Sequence, residues 1–239
     1  MAATAESFLE QLKVQPEATG IFLDFDGVLA PIVDDPRESA VPVGTLDELR
    51  RLARCYALIA VVSGRDGEDV RRRVGLDGLV YVGSHGLELN PEAESWAQRM
   101  REFAADVPWP VERKRLTLAF HYRQAENEQA AVRELEEVAE RARDEGLVAR
   151  FGRKVLEVLP PLAGDKGTAV KQLVEERGLT RALVAGDDTT DLDAFRAVDD
   201  VDVAVRVAVA SPESPTLLRD YAEIVVESPT EFLELLRRL

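Results

Sequence analysis

Residues 21–29 read Ile-Phe-Leu-Asp-Phe-Asp-Gly-Val-Leu, and no other stretch narrows the fold as much. Three apolar residues, Ile21 to Leu23, run directly into Asp24, with Asp26 and Gly27 just behind. A short apolar run without polar alternation fits a strand buried on both faces of a parallel sheet. In open α/β sheets the carboxyl ends of the strands share one edge, and ligands bind there. Gly27 lets the chain turn sharply away. Two neighbouring carboxylates repel unless a cation offsets them, and their oxygens suit a hard divalent ion such as Mg2+. Taken alone, the stretch also reads as a strand ending in a polar turn, with either Asp capping a backbone group.

Strands and helices alternate on both sides of a different middle. Thr45 to Glu48 has the form of a capping box opening a helix over about residues 46–54. Ala57 to Val62 is a second buried strand, ending at Ser63-Gly64-Arg65. Asp66 to Val74 reads as a helix, and Leu79 to Val82 as a third strand, ending at Gly83-Ser84-His85-Gly86. Leu116 to Arg123 instead alternates: Leu116, Leu118, Phe120 and Tyr122 on one face, Thr117, Ala119, His121 and Arg123 on the other. Residues 126–145 form an amphipathic helix stopped by Gly146, and Val155 to Leu159 a strand closed by Pro160-Pro161. The buried pattern returns with a helix over 166–177 ended by Gly178, strands at Ala182–Ala185, Val201–Val209 and Ile224–Val226, and a last helix capped by Ser228-Pro229-Thr230-Glu231.

The expected fold is α/β: a doubly wound (Rossmann-like) parallel-sheet core, residues 1–86 and 161–239, with a smaller α+β cap domain inserted at 87–160. Pro160-Pro161 and the glycines Gly83 and Gly86 are the expected hinges. A net charge of −15 argues against nucleic acid or an anionic membrane as a partner. The single cysteine, Cys55, is expected to be a buried structural thiol. No apolar run reaches membrane-spanning length, and the N-terminus lacks signal-peptide features, so a cytoplasmic location is expected.

Polar residues recur just after apolar strands or at a helix start. Asp24 and Asp26 follow the first strand, Ser63 and Arg65 the second, and Asp187, Asp188 and Asp191 a later one, while Lys166 opens a helix. Carboxylates for a cation, a lysine and a small hydroxyl are the parts that phosphoryl transfer needs. Each has a plainer reading. Ser63-Gly64 alone is a turn, and Asp191 alone is a helix cap. Lys166 is harder to explain structurally, because cations are disfavoured at the positive end of a helix dipole.

The order Asp-Phe-Asp-Gly, Ser-Gly-Arg, Lys-Gly, Gly-Asp-Asp-x-Thr-Asp resembles the haloacid dehalogenase-like hydrolases. Within that superfamily the chain is similar to trehalose-6-phosphate phosphatases, through DFDGVLAPI (24–32), SGR (63–65), GSHGLEL (83–89), VERKRLTLAFHYR (111–123), LEVLPPLAGDKGTAV (156–170) and GDDTTDLDAF (186–195). It departs from the usual pattern at Ser84, where an Asn is usual, and at Leu192, where a Glu is usual. The resemblance implies a Mg2+-dependent phosphatase. Asp24 would be the nucleophile, Asp26 the proton donor and then base, and Ser63 and Lys166 the groups holding the phosphoryl. Asp24, the Asp26 carbonyl, Asp187 and Asp188 would lie at the metal, with Asp191 supporting them from behind.

The alternating strand and its surroundings would read the sugar. Arg65, His85, Glu112, Lys114, His121, Arg123 and Glu157 are the candidate substrate contacts, with Thr117 and Arg153 nearby, because interleaved acids and cations suit a polyhydroxylated ligand. Without the resemblance, the same residues describe a solvated sheet face with weak ion pairs. The expected partner is a small-molecule sugar phosphate, on a monomer, with a separate trehalose-phosphate synthase left open. Alternatives are the same chemistry on another sugar phosphate, and a non-catalytic sugar-phosphate-binding module.

Overall fold

A computed structural model describes residues 4–33, 35–152, 154–211 and 214–239. The chain divides into two compact units, Met1–Gly86 with Gly164–Leu239, and Leu87–Ala163. Arg153 lies outside the described residues.

The first unit opens with helix α1 (Ala5–Lys13), capped by Thr4, and strand β1 (Thr19–Leu23), every residue of which is buried. Helix α2 (Val43–Leu52), strand β2 (Leu58–Val62), helix α3 (Gly67–Val74) and strand β3 (Val80–Val82) follow. The sequence places the α2 cap at Thr45, but the helix begins three residues earlier than that predicts. Pro42 holds the cap position with no side-chain cap bond, and Thr45 is buried inside the first turn. Cys55 is exposed rather than buried, because α2 has already ended at Leu52 and the thiol sits in the connection to β2.

The second unit contains helix α4 (Ala97–Ala105), strands β4 (Glu112–Arg113) and β5 (Leu118–His121), helix α5 (Glu128–Asp144), and strands β6 (Val148–Gly152) and β7 (Val155–Leu159). The strands form an antiparallel sheet in the order β4-β5-β7-β6. Leu135, Ala139 and Ala142 of α5 pack with Phe103 of α4 against Leu118, Phe120, Leu156 and Val158. The sheet register lines up Glu112, Ala119, Glu157 and Arg150 across the four strands, on the face opposite that core. Thr117 and Ala119 are themselves buried, so this face is less open than strict alternation predicts.

The chain then returns through helix α6 (Lys166–Arg177), strand β8 (Arg181–Gly186), helix α7 (Asp191–Arg196), strand β9 (Val203–Val209), helix α8 (Thr216–Tyr221), strand β10 (Ile224–Val226) and helix α9 (Pro229–Leu236). The first unit's sheet is wholly parallel, in the order β10-β9-β8-β1-β2-β3. The expected parallel α/β sheet with a separate α+β portion is therefore what the chain forms.

One core cluster joins Leu9 and Leu12 of α1, Leu49 of α2, Val70 of α3 and Phe232 of α9 to Ile21, Val61, Leu183 and Val205 of the sheet. Each such side chain contributes about 1.5–3 kcal/mol on burial, so this cluster outweighs the exposed ion pairs on the helices, worth at most about 1 kcal/mol each. Strand order reverses at β1: the chain goes out through β2 and β3, then returns to β8 on the other side. Connections on either side of that reversal diverge and leave a crevice at the carboxyl ends of β1 and β8.

Candidate active site

Four segments of the first unit deliver polar side chains to that strand edge. Asp24 follows β1, its N–H donating to the Ala185 carbonyl at 3.0 Å, and the Phe25 N–H donates to Asp24 Oδ1 at 2.7 Å. Lys166 is the first residue of α6. Asp165 caps the helix through the Thr168 N–H, and the Thr168 hydroxyl answers the Asp165 N–H. That reciprocal cap satisfies the helix start and leaves the lysine free to point inward. Its Nζ lies 2.8 Å from Asp24 Oδ2 and 2.8 Å from Asp191 Oδ1.

Asp191 opens α7, but it does not cap its own helix. Its Oδ2 accepts from the N–H groups of Asp187 and Asp188, both at 3.0 Å, and so folds the turn after β8 back over the lysine. One carboxylate oxygen from each of Asp24, Asp187 and Asp191 lies within 4.8 Å of the other two, and all three residues are buried. Asp188 stands outside this group, its Oδ1 accepting from the Thr189 N–H and hydroxyl. Two glycines make room for the cluster. A Cβ on Gly27 would meet the Asp187 carboxyl at 2.4 Å, and one on Gly186 would meet the Asp191 Cβ at 2.2 Å.

Asp24 and Asp191 both face the one ammonium of Lys166, and the Asp187 carboxyl lies beside them. Burial pushes the Asp24 carboxyl up to about 7, against the pull of Lys166 and reinforced by Asp191 and Asp26. Burial alone would lower the Lys166 ammonium, but Asp191 and Asp24 override it and hold its pKa above the usual lysine range. A divalent cation would offset the negative charge gathered there, and an all-oxygen donor set is the one Mg2+ takes, so these residues fit the ion.

Ser63 and the residues around it form a laced turn. The Arg65 N–H donates to Ser63 Oγ at 3.2 Å, the His85 N–H to the Ser63 carbonyl at 2.9 Å, and the Ser84 N–H to the Arg65 carbonyl at 2.8 Å. Ser84, His85 and Gly86 hold φ of 51°, 56° and 99° in succession. For the two non-glycine residues this left-handed backbone stores strain, which the lacing sustains. Arg65 is engaged with Asp26: Nε lies 2.6 Å from Oδ2 and Nη2 2.8 Å from Oδ1. Ser39, which sequence reasoning missed, adds its hydroxyl to Asp26 Oδ1 at 3.0 Å.

In the second unit, His121 Nε2 lies 2.7 Å from Glu112 Oε2, and Lys114 Nζ 3.7 Å from Glu157 Oε1. Arg150 Nε lies 3.4 Å from Glu157 Oε2, and Arg123 is exposed in the turn after β5. Arg150 also escaped sequence reasoning. The one signal for it was the weak alternation of Val-Ala-Arg-Phe-Gly in β6, which ends before a turn rather than at a proline or long loop. No helix among the described residues is long and apolar enough to cross a membrane.

The sequence model of the trehalose-phosphatase family matches residues 22–110 and 110–217. A trehalose-phosphate phosphatase of Mycobacterium marinum is 37% identical over 210 residues, covering 78% of this chain and 53% of the relative. The chain thus spans about half the length of the curated relatives it matches. Among solved structures, a trehalose-6-phosphate phosphatase related protein superposes with a TM-score of 0.71 at 28% identity, covering 91% of this chain and 95% of that one. The C-terminal domain of the Candida albicans trehalose-6-phosphate phosphatase superposes with a TM-score of 0.75 at 23% identity, covering 98% and 96%, a likeness of fold. The chain belongs to the trehalose-phosphatase family.

Proposed function

We propose that this chain is a Mg2+-dependent phosphatase that hydrolyses trehalose 6-phosphate to trehalose and phosphate. The observation that carries the reading is the buried pairing of Lys166 with Asp24 and Asp191, with Asp187 beside them. Asp24, Asp187 and the Asp26 carbonyl would hold Mg2+, with Asp188 nearby, and the ion would offset the negative charge gathered there.

Asp24 acts as the nucleophile. Its carboxylate oxygen forms a bond to phosphorus as the bond to the sugar oxygen breaks, giving an aspartyl phosphate. Asp26 gives its proton to the departing sugar oxygen, and then takes a proton from the water that attacks the aspartyl phosphate. Phosphate leaves, and Asp24 returns as a carboxylate. Ser63 and Lys166 hold the phosphoryl oxygens through both steps, while Asp191 fixes the lysine and the 186–188 turn.

The polar face of the second unit supports a sugar-reading role. Glu112, Lys114 and Glu157 are the proposed contacts, with His121 orienting Glu112 and Arg123 contributing from its turn. Arg65 and His85 are further proposed substrate contacts; the His85 N–H also braces the Ser63 carbonyl, and Arg65 also holds the Asp26 carboxylate. The test is phosphate release with Mg2+ across a panel of sugar phosphates, with Asp24→Asn as the control. Preferred turnover of trehalose 6-phosphate, lost in the variant, is the expected result. Turnover of other sugar phosphates in its place would reassign the sugar-reading residues, and no turnover of any would overturn the phosphatase reading.

A further inference from the structure

The Asp26 carboxylate is held from two sides. Arg65 forks both of its oxygens, and the Ser39 hydroxyl donates to Oδ1 at 3.0 Å across an intervening loop. Ser39 is buried, and its own carbonyl accepts from Arg73 Nη1 at 2.7 Å. Arg73 Nε donates in turn to Asp69 Oδ2 at 2.7 Å, and that oxygen lies 3.5 Å from Arg65 Nη1. The chain of contacts closes into a ring: Asp26, Ser39, Arg73, Asp69, Arg65 and back to Asp26.

Two features separate this ring from ordinary surface ion pairing. Asp69 also takes Arg72 Nη2 at 3.2 Å on its other oxygen, so three guanidinium groups gather on two carboxylates and the ring stands without a further cation. Ser39 is also its junction, touching Asp26 through the hydroxyl and Arg73 through the carbonyl. Anchoring the 35–39 loop to α3 needs the Arg73 bonds to the Ser39 and Arg37 carbonyls alone. It does not need the hydroxyl, which could rotate but spends its donor on the carboxylate. Oδ1 of Asp26 thereby receives two donors, while among the described residues Oδ2 receives the Arg65 Nε alone. A carboxylate oxygen has two lone pairs, so Oδ2 keeps one to work with.

We propose that Ser39 is a positioning residue for Asp26: held from behind by Arg73, it fixes the carboxylate's rotation and leaves Oδ2 as the oxygen that handles the proton. The proposal rests on the reading of Asp26 as proton donor to the leaving sugar oxygen. Proton transfer within an active site depends on placement at the sub-ångström scale. The role of Asp26 as base in the second step is common to all esters, but kcat/KM reports the first phosphoryl transfer, so a misplaced Asp26 lowers it for an ester whose leaving group needs a proton and spares it for one whose leaving group does not.

The experiment compares trehalose 6-phosphate with 4-nitrophenyl phosphate, whose phenolate departs unprotonated, on wild type, Ser39→Ala, Ser39→Thr and Arg73→Met. For Ser39→Ala, kcat/KM should fall about 10-fold or more on trehalose 6-phosphate and by less than about threefold on the aryl ester. Ser39→Thr, which keeps the hydroxyl, should restore most of the loss. Arg73→Met loosens Ser39 without touching Asp26, so it should shift the ratio the same way and judges the proposal if Ser39→Ala does not fold. Equal losses on both esters, or no loss on either, overturn it. Crystal structures of wild type and Ser39→Ala give a readout independent of turnover. Asp26 should rotate or take alternate positions in the variant, and an unchanged Asp26 on an unchanged Arg65 fork overturns the proposal. A wild type inert toward both esters overturns the phosphatase reading instead, and Ser39 is then judged on the Asp26 position alone.

Discussion

Lys166 Nζ lies 2.8 Å from Asp24 Oδ2, with both groups out of solvent. Removing one partner from a buried charged set leaves the others uncompensated, a penalty of about 3–5 kcal/mol. Lys166→Met should therefore destabilise the metal-free protein by about that amount near neutral pH, read by urea denaturation. It should also abolish phosphate release. A variant as stable as wild type would show that the lysine does not neutralise this cluster.

Stability of the metal-free protein should depend on pH through Asp24. Its carboxyl is pushed up from the ordinary 3.8 to about 7, chiefly by burial. Between those values the folded chain keeps a proton that the unfolded chain has lost, so the Asp24 contribution is full below the lower value and disappears as pH rises through the upper. Asn is a neutral near-isostere without this dependence. In chelator, the Tm of Asp24→Asn should exceed that of wild type at about pH 8, with the gap narrowing towards about pH 5. A gap independent of pH would refute the assignment.

Gly27→Ala tests the packing of the cluster. The position has φ of 85°, and its added Cβ would lie 2.4 Å from the Asp187 carboxyl. Strain and displacement together should cost about 1–3 kcal/mol. Calorimetric titration with Mg2+ should also show weaker binding than wild type, because Asp187 must move.

Glu112→Ala should lower kcat/KM for trehalose 6-phosphate by about 100-fold while leaving 4-nitrophenyl phosphate within about threefold, since the lost contact is to the sugar. Equal losses on both esters would assign Glu112 to the folding of the second unit.

Chelation should stop phosphate release reversibly, with Mg2+ restoring it. Far-ultraviolet circular dichroism should stay unchanged throughout, because the core of the first unit is apolar and independent of the carboxylate cluster. Activity that survives chelation would remove Mg2+ from the proposal.

The legible parts of the fold were those where local chemistry and tertiary packing agree. β7, β10 and α6 fall on the residues expected of them. For α6 the reason is visible at both ends: Asp165 caps the start and Gly178, at φ of 60°, ends it. α9 begins as expected with Ser228 accepting from the Glu231 N–H, though the Glu231 carboxylate reaches back to the Glu227 N–H rather than that of Ser228. Elements without a local signal went unread. β4 is two residues long, and β6 exposes Val148 and Phe151. Arg206 is buried in the middle of β9 and is satisfied by the Phe195 carbonyl, Glu223 and Asp199, partners that no spacing rule connects.

The site divides in the same way. Asp24, Lys166, Asp187 and Asp191 could be read because each follows an apolar strand or begins a helix, which puts them at one sheet edge. The bond from Ser39 to Asp26 crosses an irregular loop, and the Arg73 clamp behind it depends on how α3 packs. Nothing in the loop's composition distinguishes that serine from a solvated one.

The chain's one cysteine, Cys55, is exposed just past the end of α2. Thiol-directed reagents therefore have a single address on this protein, and a fluorophore attached there reports on the first unit without any substitution. One cysteine introduced on the α5 surface would complete a donor–acceptor pair, so the separation of the two units could be followed in solution while substrate turns over.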